Sequence, residues 1–251
     1  MTTASMRTRT NRVLAAHCAA AACVTVALAA KFSDNFGSIQ LNPAWTKLIF
    51  LAPGPGGQPT SINILPSLWR LVFIVQGEGT AACALEGYEI TDGSWKCSVK
   101  PKEPFDPAQV IDANSASGYL GIQWGTFVNG VDLATQLNGY QLASIIYSDT
   151  ATNGWALYEA GVETDSQSVS RSQTSKFRGT MSATYNARKD RLTVQVGQSR
   201  YTFDSFNELS PFAGQGNPFV YVGGETVGFV VGTPFVFDNF SLSGKGVVVE
   251  P

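Results

Sequence analysis

The sequence predicts an all-β domain of the antiparallel sandwich or barrel type. Three observations carry that prediction. Short apolar runs of strand length recur along most of the chain, divided by Gly- and Pro-rich breaks. Helical periodicity is scarce. Near the two ends stand similar segments, Phe32-Ser33-Asp34-Asn35-Phe36 and Val236-Phe237-Asp238-Asn239-Phe240, suited to lie side by side and remove exposed sheet edges.

Composition narrows the function classes. The 251 residues are 44% hydrophobic, enough for a sizeable core, and only 14% charged, well below a typical soluble domain. A formal net charge of −2 provides no basic field to gather phosphates, so nucleic acid is disfavoured as a partner. The single histidine is His17, in the N-terminal segment. Once that segment is removed, Ser-His-Asp and Cys-His catalysis and His-containing metal sites are excluded.

That segment reads as a signal peptide over residues 1–29. Arg7, Arg9 and Arg12 precede an Ala-rich apolar run from Val13 to Ala29, and Ala27-Leu28-Ala29 supplies the small-x-small cleavage pattern. The run is slightly short for the alternative, an uncleaved anchor. The expected product is a secreted, extracellular, periplasmic or cell-surface protein with no membrane span, one domain from residue 30 to 251. It would keep two cysteines, Cys83 and Cys97. Export predicts a disulfide between them, Gly87 and Asp92-Gly93 turning the chain back. Two free thiols are the alternative.

Taken in order, Trp69–Val75 is a dense apolar run, expected as a strand buried on both faces. Tyr119–Val128, Gln141–Tyr147, Trp155–Val162, Phe219–Val222 and Thr226–Val231 are further strands. Thr180–Tyr185 and Arg191–Val196 form a hairpin through the polar connector Asn186–Asp190, with Leu192, Val194 and Val196 on one face. The best of the poor helical signals is Asp106-Pro107-Ala108-Gln109-Val110-Ile111, a capping Asp followed by Pro. No linker or internal repeat divides the chain.

The order of these segments resembles the concanavalin A-like lectin/glucanase superfamily, which includes laminin G-like domains. The likeness rests on the opening Phe32–Phe36 segment with Leu41-Asn42-Pro43-Ala44-Trp45 after it, and on the closing strand Phe235–Leu242. It rests also on the Phe177–Gly197 hairpin, with Ala183-Thr184-Tyr185-Asn186 before Leu192-Thr193-Val194-Gln195-Val196. The resemblance implies a jelly roll of two curved antiparallel sheets. It implies binding or catalysis equally, since the fold hosts both. It also implies a structural calcium near the paired terminal strands, with Asp238 as ligand and Asp34 assisting.

Two functions follow as expectations. The first is a non-catalytic, lectin-like domain that binds a glycan or extracellular polysaccharide, or serves adhesion. Sugar C–H faces stack on aromatic rings while hydroxyls bond amides and charged groups. Trp124, Tyr147, Trp155 and Tyr158, with Gln123 beside them, are the candidates; Trp155, after Asn153-Gly154, is the one expected at an exposed sheet rim. Burial of these aromatics in the core is the competing reading. The second is a glycoside hydrolase or polysaccharide lyase. Glucanases of the superfamily carry Glu-x-Asp-x-Glu on one strand; here Glu163-Thr164-Asp165-Ser166-Gln167 matches two of its three carboxylates, and a solvated turn is the alternative. Glu86 and Glu89 lie between the cysteines, spaced for opposite strand faces. For a lyase, Tyr147, Tyr158 or Tyr185 would act as base.

Overall fold

The computed structural model describes residues 29–52, 61–67, 70–102, 115–147, 152–170, 180–206, 215 and 217–249. Residues 1–28 of the expected signal peptide and the helical signal at 106–111 lie outside them. Among the described residues, fifteen strands form: β1 Lys31–Asp34, β2 Trp45–Leu51, β3 Ser61–Ser67, β4 Arg70–Leu85, β5 Tyr88–Ile90, β6 Trp95–Lys102, β7 Ser115–Gln123, β8 Gly139–Tyr147, β9 Thr152–Glu159, β10 Val162–Ser170, β11 Met181–Asn186, β12 Arg191–Val196, β13 Ser199–Asp204, β14 Phe219–Gly244 and β15 Val247–Val249. Among the described residues a 3₁₀ turn, Leu133–Gln136, interrupts them. No helix among these residues is long and apolar enough to cross a membrane.

Thirteen strands make one antiparallel sheet with the path β10-β9-β8-β7-β14-β6-β11-β12-β13, while β15 and β5 form a small second sheet. The large sheet doubles over into two layers through β4 and β14. The first half of β14 pairs with β7 and its second half with β6, while β4 runs along its other edge. The register of β14 shifts between Gly232 and Phe235, where Pro234 has no N–H to give the ladder. The front layer holds β7–β10 with the first half of β14, the second half of β4 and β2. The back layer holds β6, β11–β13, β1 and the second half of β14.

The core lies between the layers. Leu120, Ile122, Tyr140, Leu142 and Leu157 from the front meet Ala183 and Val194 from the back. Trp155 of β9 packs on Tyr201 of β13 with ring centroids 4.6 Å apart. Alternation explains which residues arrive there: in β12, Leu192, Val194 and Val196 point inward and their neighbours do not.

The two Asp-Asn-Phe segments are neighbours, with Phe32 opposite Leu242 and Asp34 opposite Phe240. Phe32, Trp45 and Phe240 close over them, the last two edge-to-face at 4.8 Å. The hairpin β11–β12 turns where predicted: the Asn186 Oδ1 accepts from the Arg188 N–H at 3.1 Å, and the Tyr185 hydroxyl donates to Asp190 at 2.9 Å.

Other elements differ from expectation for local reasons. The Trp69–Val75 run buries one face rather than two; Leu71, Phe73 and Val75 are in the core, but Ile74 is 40% exposed. Phe219–Val222 and Thr226–Val231 belong to one 26-residue strand. Gly223 and Gly224 are not a turn; a Cβ on them would strike the Tyr119 and Phe235 rings at 2.6 and 2.4 Å. The Trp155–Val162 segment breaks after Glu159 into a hairpin whose turn residues, Ala160 and Gly161, both have positive φ. The strand from Tyr119 stops at Gln123, and the chain continues as a loop over the front layer.

Candidate functional site

The outer face of the front layer is formed by β7, β8, β9, the first half of β14, the second half of β4 and β2. Here the chain's own loop 124–138 covers part of it. Alternation places Tyr119, Gln123, Gln141, Ala143, Ala156, Tyr158, Phe219 and Tyr221 on this face. Leu133 of the loop buries against them together with Leu48, Ala82 and Ala84, and Phe127 and Leu137 pack alongside. Polar side chains fasten the loop. Thr80 Oγ1 donates to Asp132 Oδ1 at 3.3 Å and accepts from the Leu133 N–H at 3.2 Å. Gln123 Nε2 donates to the Gln136 carbonyl, and its Oε1 accepts from the Asn138 N–H. Beneath the loop, Tyr119 and Tyr221 lie across the sheet, each over the glycine opposite it on the neighbouring strand, Gly223 and Gly121.

Two acidic residues influence a third, Glu225, near the loop. Glu225 stands opposite Thr80 in the β14–β4 register. Burial, then the charges of Asp132 and Glu78, push its carboxyl above the ordinary glutamate value. Burial also raises both tyrosine hydroxyls far above theirs; for Tyr119 the neighbouring acidic groups add to the effect.

Beside the loop the face stays open as a groove of about 490 Å3, within the range of small-molecule sites. Its wall is built from four places: Thr46 and Leu48 of β2; Ala84, Leu85, Glu86, Gly87 and Tyr88 at the β4–β5 turn; Gly125, Thr126 and Phe127 after β7; and Phe219 opening β14. Gly87 and Gly125 both turn with positive φ, which brings the adjoining side chains to the rim. The rings are held from behind. Tyr88 packs on Phe32 at 5.1 Å, and Phe127 stands edge-on to Tyr221 at 5.0 Å and to Phe219 at 5.7 Å. Rings fixed in this way lose little rotamer freedom when a ligand stacks on them. Glu86 is exposed at the rim, its backbone N–H bonded to the Ala44 carbonyl at 2.7 Å.

The aromatics singled out in the sequence lie elsewhere. Trp155 is 1% exposed, a core residue rather than a rim one, because Asn153-Gly154 lies within β9 instead of forming a turn. Trp124 is buried against Tyr140 and Phe206. Gln123 is a loop fastener. Tyr158 is half-buried on the outer face, and the backbone of Tyr147 pairs with Ser115 in β8. Glu163 and Asp165 lie exposed on edge strand β10, with a bulge between them. The sequence reading weighed Glu86 only as a carboxylate spaced away from Glu89 and missed the groove's aromatics, although Glu86-Gly87-Tyr88 and Gly125-Thr126-Phe127 share a signal: an aromatic one or two residues after a turn glycine.

The cysteines are not joined. Cys83 opposes Val222 and Cys97 opposes Leu242, at opposite ends of β14, and both thiols are free, buried and pushed up to about 12 by desolvation. The turns that were expected to bring them together instead send β4 and β6 to different stretches of β14. The carboxylates expected to hold calcium have protein partners: Asp238 pairs with Lys102 at 3.2 Å, and Asp34 accepts from the Phe36 N–H and the Trp45 indole. The donor set does not fit a calcium ion, and no three His, Cys, Asp or Glu among the described residues are grouped to hold a metal.

No protein-family model and no curated protein matches the chain. Solved structures do. An endo-1,3-beta-glucanase from Streptomyces sioyaensis aligns with a TM-score of 0.54 at 12% identity, over 87% of this chain and 96% of the other. The CBM2 module of an evolved Dit from Lactobacillus casei BL23 phage J-1 gives 0.52 at 9% identity, over 89% and 99%. The Emp46p carbohydrate recognition domain in its potassium-bound form gives 0.50 at 11%, over 82% and 88%. With two layers of antiparallel strands, paired terminal segments and these structural neighbours, the chain has the concanavalin A-like lectin/glucanase fold.

Proposed function

We propose that the protein is an exported, non-catalytic, lectin-like domain that binds a glycan in the groove formed by Tyr88, Phe127 and Phe219. The observation that carries this reading is the groove itself: three rings on a rigid backing, with a carboxylate and two threonine hydroxyls at hand. Sugars need that combination, apolar C–H faces against rings and hydroxyls against acceptors and donors. A carbohydrate recognition domain and a glucanase among the structural neighbours make a glycan the natural ligand class. The test is titration calorimetry with a panel of oligosaccharides. Replacing either Tyr88 or Phe127 by Ala is expected to weaken binding roughly tenfold or more, as truncation of a buried aromatic anchor does. Unchanged affinity in both variants would remove the groove from the account.

A glycoside hydrolase is the second reading, favoured by one observation. Glu225 holds its proton above the ordinary glutamate range beside a second carboxylate, Asp132, as a general acid must. Loop 124–138 would have to lift for a sugar to reach it. Release of reducing ends from mixed polysaccharides, lost in Glu225→Gln, would establish this reading over the first.

A further inference from the structure

The charge pattern of the groove says which glycans it takes. Among the described residues, Glu86 is the one charged side chain in its wall, and the other polar contributors are the hydroxyls of Thr46, Thr126 and Tyr88. The closest lysine in sequence, Lys47, lies between Thr46 and Leu48 on β2. Alternation sends it to the opposite face, where its Nζ donates to the Ile64 carbonyl. Among the described residues, no Lys or Arg lines the groove to neutralise an acid group on a ligand.

We infer that this groove is selective for uncharged glycans, whose hydroxyls donate to Glu86 while a ring face stacks on Phe127, Phe219 or Tyr88, and that it rejects glycans bearing carboxylate or sulfate groups. The inference rests on the glycan-binding reading and names its substrate class. An ionised Glu86 is an acceptor only, so sugar hydroxyls fill its lone pairs, and the bonds they make to a charged oxygen are stronger than those to a neutral one. A uronate or sulfate in the same space faces an unshielded like charge against a partly apolar wall, where screening by water is reduced.

The experiment compares the purified protein with neutral oligosaccharides (gluco-, manno- and galacto-configured) and with uronate and sulfated oligosaccharides of matched length, by calorimetry at fixed ionic strength. The wild type is expected to prefer the best neutral ligand over its uronate counterpart by roughly tenfold or more. Glu86→Gln is expected to weaken the neutral ligand and to narrow that preference. Glu86→Lys is expected to move it toward the uronate. Glu86 is exposed and its backbone bond is kept, so both variants will fold, which an unchanged melting curve confirms. Wild-type binding of uronates or sulfated glycans as tightly as neutral ones overturns the inference and leaves the glycan reading standing, as does a preference untouched by either substitution. Failure of every oligosaccharide to bind overturns the glycan reading and the inference with it.

Discussion

Trp155→Ala separates a core tryptophan from a ligand platform. The side chain is 1% exposed and lies between the layers, its ring 4.6 Å from that of Tyr201. Removing it deletes a large apolar volume where β9 faces β13. Substitutions of this kind cost about 3–5 kcal/mol. For a domain of this size each kcal/mol lowers Tm by roughly 2–4 °C, so the expected fall is roughly 6–20 °C. The Nε1 bond to Gln167, 3.4 Å long, adds little to that figure. The assay pairs thermal melts followed by near-UV circular dichroism with glycan titration well below the variant's Tm, where affinity should be close to that of the wild type. Trp155→Phe should recover part of the loss. A variant with an unchanged melt and no glycan binding would refute the placement of Trp155 and, with it, the two-layer packing of β9 on β13.

Other outcomes follow from the same structure. Glu225 has a raised folded-state pKa, so its contribution to stability is fully present below the unfolded glutamate value and is lost as pH rises through the folded one. Glu225→Gln should therefore raise Tm at neutral pH and flatten the loss of Tm on going from acid to neutral; a variant with the wild-type pH profile would contradict the burial of this carboxyl. Gly121→Ala would set a Cβ 2.0 Å from the Tyr221 ring, and overpacking of this kind should destabilise the fold by about 1–3 kcal/mol in a urea melt, whereas an unchanged midpoint would mean that the ring does not lie over Gly121. Cys83 and Cys97 should react with Ellman's reagent only after denaturation, and reductant should leave Tm unchanged; a reductant-sensitive melt would restore the disulfide.

Much of the architecture is legible in the sequence because alternation is a local property. Leu192, Val194 and Val196 announce their strand and its buried face, and the paired Asp-Asn-Phe segments announce how the sandwich closes. What escapes depends on contacts between segments distant in sequence. Gly223-Gly224 resembles a turn, and only the Tyr119 and Phe235 rings beside it show that it is flat strand packed beneath aromatics. Trp155 follows what reads as a turn, but a two-residue hairpin at Ala160-Gly161 sets the register that turns it inward. The groove has the same origin. Tyr88, Phe127 and Phe219 are unremarkable singly, and they converge because β4, β7 and β14 are adjacent in the front layer while their chain positions are far apart. The disulfide failed on geometry that spacing does not encode, namely the ends of β14 at which the cysteines lie, and spacing is equally silent on the lysine and indole that partner the two aspartates.

The groove assignment is tested most directly by mapping a bound glycan with amide chemical shifts in 15N-labelled protein, using the tightest oligosaccharide from the panel. The account predicts perturbations grouped at Ala84–Tyr88, Gly125–Phe127 and Phe219, saturating together with increasing ligand. Perturbations centred on Glu163–Gln167 of edge strand β10, or on the back layer, would contradict it.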